Sequence, residues 1–164
     1  MVGNLYKINI FRGYNYTPKK DRRILEEKFN RSLERFVSLA RNFFKDKLDA
    51  ILVFGSFADP SKELKEDSDI DLVVFHRARE DEVVLFHRLL PTEHRRRLKV
   101  PAEKWSWYYD EALKHDTEND VYWHIFYAPS SKIGSLVKRF DKFRFVFVNL
   151  EGLRSTPELF NTPT

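Results

Sequence analysis

Between residues 18 and 47, apolar residues recur every three or four positions, which is the spacing of one face of an α-helix. The repeated positions are Leu25, Phe29, Leu33, Phe36, Ala40 and Phe43. Thr17 suits the N-cap, and Pro18 suits the first helical turn, where its missing N–H leaves no hydrogen bond unmade. We therefore predict a long amphipathic helix over about residues 18–47, with a phenylalanine-rich face toward the core.

Two short apolar runs follow this helix and are typical of strands that are buried on both faces. The first run is Ala50–Phe54, which ends at Gly55-Ser56, and the second is Ile70–Phe75. Residues 57–68 between them are polar, contain Pro60 and are predicted to form a loop. The pattern therefore places two central strands on either side of that loop.

Weaker patterns assign the rest of the chain. They predict a helix or, as the alternative, a strand at 80–90, a basic edge strand at 94–100, a helix at 102–114, strands at 121–128 and 143–148, and a helical segment within 132–140. We expect one α/β (α+β) domain over residues 1–164, in which helices pack on a mixed central β-sheet.

Composition narrows the classes of function. The 164 residues include no cysteine, which excludes disulfide scaffolds, cysteine-based zinc sites and thiol nucleophiles. Lys and Arg number 29 against 25 Asp and Glu, a net charge of +4 that suits an anionic ligand better than a dedicated nucleic-acid binder. No signal sequence or membrane span is apparent, so we expect a cytoplasmic protein without a membrane partner. The absence of Gln and the 33% of charged residues fit a thermophilic source.

Residues able to bind a metal and a phosphate meet at the ends of the two central strands. Asp69 and Asp71 alternate with Ile70, so both carboxylates face the same side of the strand, about 7 Å apart. A strand beside a core rarely carries two such charges unless a cation neutralises them. Oxygen ligands without thiolates favour Mg²⁺ or Mn²⁺. Gly55 and Ser56 form a turn that admits an anion close to the backbone, with a hydroxyl donor beside it.

The segment GSFA…DSDIDLVV resembles the signature of the minimal nucleotidyltransferases of the DNA polymerase beta superfamily, over about residues 48–76. The motif core extends to about residue 100. The resemblance implies a mixed sheet with helices on one side, Gly55 and Ser56 holding the triphosphate of an NTP, and Asp69 and Asp71 binding the catalytic metals. It implies transfer of an NMP unit, with AMP from ATP as the first expectation, to an acceptor hydroxyl with release of pyrophosphate.

The chain departs from that family at two places. Members often have an Arg and a second Gly after the Gly-Ser turn, where this chain has Phe57-Ala58, so Lys62 or Lys65 becomes the candidate for the missing positive charge. Active members usually add a third carboxylate from a later strand, and the predicted strand at 94–100 contains no acid. Glu82, Glu93 and Glu103 are the alternatives.

Other functions stay open at this stage. The acceptor is expected to be docked by a partner, either a companion protein, as in toxin–antitoxin pairs that the chain resembles, or an RNA. The alternatives are a catalytically inactive nucleotide- or RNA-binding module of the same fold, and a basic protein whose partner docks on Arg95 to Lys99. The remaining aromatic and histidine residues are interpreted as core, structural or exposed: Trp105, Trp107, Tyr108, Tyr109, His76, His87, His94, His115 and His124.

Overall fold

The computed structural model describes residues 5–6, 20–97 and 112–153. The strands are β1 (Leu5–Tyr6), β2 (Leu48–Phe54), β3 (Asp69–His76), β4 (Thr92–Arg97), β5 (Ala112–Asp116), β6 (Val121–Pro129) and β7 (Phe143–Asn149). The helices are α1 (Lys20–Phe44), α2 (Gly55–Ala58), α3 (Glu80–Leu89), α4 (Ile133–Val137) and α5 (Leu150–Leu153), with 3₁₀ turns at Lys45–Lys47 and Ser130–Lys132. These elements confirm the predicted mixed sheet with helices packed on it.

Within the described residues, the seven strands form one sheet in the order β1-β7-β2-β3-β6-β5-β4. Strand β2 runs antiparallel to both of its neighbours, β3 and β7. Strand β3 runs parallel to β6, with Asp69 opposite Tyr122 and Asp71 opposite His124. The parallel pair therefore places a late segment of the chain directly beside the two aspartates.

Helix α1 forms because its apolar positions share one face, as the spacing predicts. Phe29 and Phe36 on that face are fully buried, while Ile24 on the opposite side is exposed. The indole Nε1 of Trp123 on β6 donates to Ser32 Oγ at 3.0 Å, which satisfies both buried polar atoms. The helix is thus fixed across the middle of the sheet, while Thr17 and Pro18 lie outside the described residues.

The two faces of the sheet are covered unequally. One face packs against α1 and α3, through side chains such as Leu33 and Phe86. The other face packs against the short helices α4 and α5, through side chains such as Leu136 and Leu153. The resemblance implied helices on one side, and the structure differs because residues 133–137 and 150–153 fold back over the second face.

The structure confirms the predicted helix after β3 and corrects the one predicted after β4. Residues 80–89 form a helix, as preferred, and Glu82 caps it by accepting from the backbone N–H of Arg79 at 3.0 Å. The helix predicted at 102–114 is wrong at its end, since Ala112–Asp116 forms strand β5. There the backbone pairs with β6, with Lys114 opposite Trp123, and this sheet pairing overrides the local helical pattern. Residues 102–111 and their aromatic side chains lie outside the described residues.

None of the helices described is long and apolar enough to cross a membrane.

Candidate active site

The turn after β2 and the start of β3 meet because the two strands are antiparallel. Phe54, the last residue of β2, pairs with Asp71 on β3. The chain then turns into the four-residue helix α2, which begins with Gly55 and Ser56. Gly55, Ser56, Asp69 and Asp71 are all half-buried, so this end of the sheet is reached by solvent.

Gly55 is required at this turn for two reasons. Its backbone φ is +76°, in the left-handed region that side chains other than glycine rarely adopt. A Cβ built on it would lie 2.1 Å from Asp71 Oδ2. The carboxylate of Asp71 is therefore seated directly against the backbone of the turn, in space that any larger residue would fill.

Arg22 of α1 holds the turn from the other side, a contact that the sequence pattern did not reveal. Its side chain is only 4% exposed. The guanidinium donates to the carbonyls of Ser56 at 2.9 Å, Phe57 at 2.8 Å and Lys62 at 2.7 Å. Because the carbonyls of a helical turn point away from its N–H groups, this contact leaves the N–H groups of the turn directed away from Arg22.

His124 on β6 is a further residue of this site that sequence reasoning missed. Its Nδ1 lies 3.0 Å from Asp71 Oδ1, within hydrogen-bond distance. The ring also packs on Phe126, with centroids 4.5 Å apart. His124 was interpreted as structural or exposed, but the parallel pairing of β3 with β6 puts it beside the carboxylate. Its signal in the sequence is a histidine that interrupts an otherwise apolar strand.

The candidates for a third carboxylate do not meet Asp71 within the described residues. Strand β4 lies at the sheet edge, separated from β3 by β5 and β6. Glu82 is on α3, where its carboxylate pairs with Lys47 Nζ at 3.0 Å. The side chain of Glu93 and all of Glu103 lie outside the described residues. Of the two strands that pair with β3 in the described residues, β6 places the imidazole of His124 opposite Asp71.

Arginines from two distant elements contact α2, in addition to the loop lysines that are predicted to supply positive charge. Lys62 and Lys65 are both exposed on the loop that follows. The guanidinium of Arg144, on β7, lies over the ring of Phe57 at 4.8 Å from its centroid. Among the described residues, Arg22 thus contacts the carbonyls of the turn and Arg144 its phenylalanine. Lys142 Nζ lies 3.8 Å from Asp59 Oδ1, at the end of the turn.

An aromatic wall adjoins the carboxylates on the same face of the sheet. Phe54 stacks on Phe140 with centroids 4.5 Å apart and contacts Phe126 at 5.8 Å. Phe54 and Phe140 are half-buried, so part of this wall is open to solvent. The site therefore combines a charged end with an apolar flank.

Comparison with known proteins identifies the family. Residues 33–148, most of the chain, match the family described as Nucleotidyltransferase domain. The chain belongs to that family. No curated protein and no solved structure matches the chain significantly. The matched range contains the turn, both aspartates and His124, whereas Arg22 precedes it.

The donor atoms of this nucleotidyltransferase domain fit a divalent metal. Asp71 offers carboxylate oxygens in the slot beside Gly55, and Asp69 stands two residues away on the same face of β3. Within the described residues, no group of three or more His, Asp or Glu side chains is placed to hold a metal ion. A hard divalent ion keeps several waters and substrate oxygens in its shell, so one or two protein carboxylates suffice beside them.

Proposed function

We propose that this nucleotidyltransferase domain is an active, metal-dependent enzyme that transfers an NMP unit from an NTP to an acceptor hydroxyl. One observation carries the proposal: the backbone of the Gly55 turn and the carboxylate of Asp71 are in van der Waals contact. A triphosphate at the turn would therefore lie beside the carboxylates that hold the cation it needs. The expected donor is ATP, and the expected ion is Mg²⁺ or Mn²⁺.

The proposed reaction is an in-line displacement. The acceptor oxygen forms a bond to the α-phosphorus while the bond from that phosphorus to the bridging oxygen breaks, so pyrophosphate leaves and the hydroxyl proton passes to solvent. A divalent ion held by Asp69 and Asp71 would neutralise the negative charge that develops on the phosphates.

The chain's own residues position the triphosphate. The N–H groups of Gly55 and Ser56 are proposed to bind the β and γ phosphates, because a helical turn presents unpaired N–H groups at its start. Arg22 fixes that turn by binding its carbonyls. The half-exposed Phe54 and Phe140 are suited to packing against the nucleoside, since aromatic side chains stack on bases.

The test measures transfer from NTPs labelled at the α-phosphate, with Mg²⁺ or Mn²⁺, to two acceptor pools: total RNA and total soluble protein. We expect label in one pool with wild-type protein and none with Asp69→Asn/Asp71→Asn. Asp67→Asn is the matched control, because Asp67 is an exposed acid two residues from Asp69. Transfer that persists in the double variant would refute the proposal.

A second candidate function is nucleotide binding without transfer. It is favoured by the absence, within the described residues, of a third acidic side chain beside Asp69 and Asp71. Tight metal-dependent NTP binding, lost in Asp69→Asn/Asp71→Asn and accompanied by no label in either pool, would select this alternative.

A further inference from the structure

The imidazole of His124 occupies a position where a metal ligand would be expected. Asp71 and His124 lie at the same register on two parallel strands and face the same side of the sheet. Their facing atoms, Oδ1 and Nδ1, are 3.0 Å apart. Two donor atoms on adjacent corners of an octahedron with bonds of about 2.1 Å also lie about 3.0 Å apart. The observed spacing thus accommodates either a hydrogen bond or a shared ion.

The ring of His124 packs against a neighbouring aromatic ring rather than standing free in solvent. It lies 18% exposed between the strand and Phe126, whose ring packs on it. His115 is packed to the same degree, with its side chain 19% exposed and its ring 4.5 Å from that of Tyr122, but its Nε2 pairs with Asp120 Oδ1 at 2.8 Å. Asp120 is exposed in the turn between β5 and β6, so that pair is a surface contact. Asp71, in contrast, lies half-buried against the phosphate-binding turn.

We propose that His124 is a nitrogen ligand of the divalent ion that Asp71 binds, in the position where the family resemblance implied a third carboxylate. This inference rests on the proposed function, because it assumes a metal at the aspartate pair. It also requires Asp69 to close on the ion when the ion binds, since no three His, Asp or Glu side chains of the described residues are placed to hold one as they stand. It identifies β6, and not β4, as the strand that completes the site.

The proposal has a consequence for the choice of metal. Mg²⁺ prefers oxygen ligands, whereas first-row transition ions accept an imidazole nitrogen with an affinity that is lowest for Mn²⁺ and rises through Co²⁺ to the later ions. Two carboxylates with a neutral imidazole also carry one negative charge less than three carboxylates, so the ligand set attracts a hard ion less strongly. We therefore expect the site to prefer Mn²⁺ or Co²⁺ over Mg²⁺.

The decisive experiment is electron spin-echo envelope modulation of Mn²⁺ added to the full-length protein without nucleotide, so that no base nitrogen is present. We expect modulation from a coordinated ¹⁴N in the wild type, replaced by the ¹⁵N pattern when the protein carries ¹⁵N-labelled histidine. The modulation should be absent in His124→Asn. It should persist in His115→Asn, the matched control from the surface pair.

A second variant, His124→Asp, keeps a ligand at the position and protects the test against misfolding of His124→Asn. Titration with Mg²⁺ and with Mn²⁺ gives the ratio of their dissociation constants in each protein. This substitution should reduce the preference for Mn²⁺ over Mg²⁺ by about tenfold, the scale of change seen when groups around a metal are altered. An unchanged ratio would contradict the inference.

The outcomes separate this inference from the proposed function. Mn²⁺ binding that requires Asp69 and Asp71 but shows no histidine nitrogen would overturn the role of His124 and leave the metal site intact. Nitrogen coupling that survives in His124→Asn would overturn it as well, since another histidine would then be the ligand. Mn²⁺ that fails to bind, or binds equally to Asp69→Asn/Asp71→Asn, would overturn both proposals.

Discussion

Replacing Gly55 with alanine should separate loss of activity from loss of stability. The added Cβ would lie 2.1 Å from Asp71 Oδ2, whereas ordinary contacts begin near 3.4 Å, so the carboxylate or the turn must move by about 1.3 Å. The positive φ adds roughly 1–2 kcal/mol of strain to the folded state. A displacement of about 1 Å at a reacting centre can cost about 100-fold in rate.

Gly152→Ala is the matched control for this variant. A Cβ at Gly152 would lie 1.9 Å from Asp49 Oδ1, a clash of the same kind against another carboxylate. Asp49 is fully buried near the start of β2, about 16 Å along the strand from Phe54. Gly152→Ala should therefore destabilise the fold without moving the turn or Asp71.

The assay combines thermal unfolding with label transfer from an NTP, expressed per folded molecule. Gly55→Ala should lower the melting temperature by several degrees, at about 2–4 °C for each kcal/mol, and reduce transfer about 100-fold. Gly152→Ala should also lower the melting temperature and keep transfer within about threefold of wild type. The reasoning fails if Gly55→Ala transfers at the wild-type rate, or if the control loses as much activity.

Three further predictions concern the residues that stabilise the fold around the site. Arg22→Ala should destabilise by about 3 kcal/mol, because it leaves three carbonyls without their donor and Glu26 without its ion-pair partner, and it should weaken Mg²⁺-NTP binding. Urea unfolding and nucleotide titration check this against Arg23→Ala, an exposed neighbour. Asp49→Ala should cost about 2–3 kcal/mol in urea unfolding and leave transfer per folded molecule unchanged, since it removes a buried hydrogen-bond acceptor of Ser130 and of the partly exposed Arg77, away from the site. Burial lowers the pKa of His76 to about 4 and that of His87 to about 3. In the unfolded chain each of these two imidazoles gains a proton as the pH falls below about 6.5, whereas in the folded chain both stay neutral until about pH 4. The free energy of unfolding should therefore fall by roughly 1.4 kcal/mol per pH unit for each histidine from about pH 6.5 toward pH 4. A urea midpoint that stays constant over that interval would contradict this last expectation.

The local elements were predictable because their signals are local. The apolar spacing in α1 and the unbroken apolar runs of β2 and β3 each follow from the side chains that must be buried. The alternation of Asp69 with Ile70 alone predicts both aspartates on one side of β3. The sequence also predicts the turn at Gly55, but the contact of Gly55 with Asp71 depends on the register between β2 and β3.

The long-range contacts of the site were not predictable from the same patterns. His124 joins the site because β6 pairs in parallel with β3, more than 50 residues earlier in the chain, and no periodicity specifies that pairing. Arg22 looks like an ordinary charged residue near a helix start, and its burial depends on carbonyls in residues 56–62. The misassigned strand β5 has the same cause, since its partner β6 outweighs its local preference.

Asp49 and Asp71 each have a carboxylate that lies against a glycine, one near each end of β2. Only the end at Asp71 is proposed as a reactive site. The fully buried carboxylate of Asp49 accepts hydrogen bonds from the guanidinium of Arg77 at 2.8 Å and from the hydroxyl of Ser130. Its charge is therefore neutralised within the protein. Asp71 is half-exposed, and within the described residues its ion-pair partner is a histidine rather than an arginine or lysine. A buried carboxylate paired with a permanent cation is not available to a ligand, whereas a carboxylate that solvent reaches and that pairs with an imidazole is open to an added cation. The same contact with glycine therefore stabilises the fold at one end of the strand and leaves the proposed metal-binding group at the other.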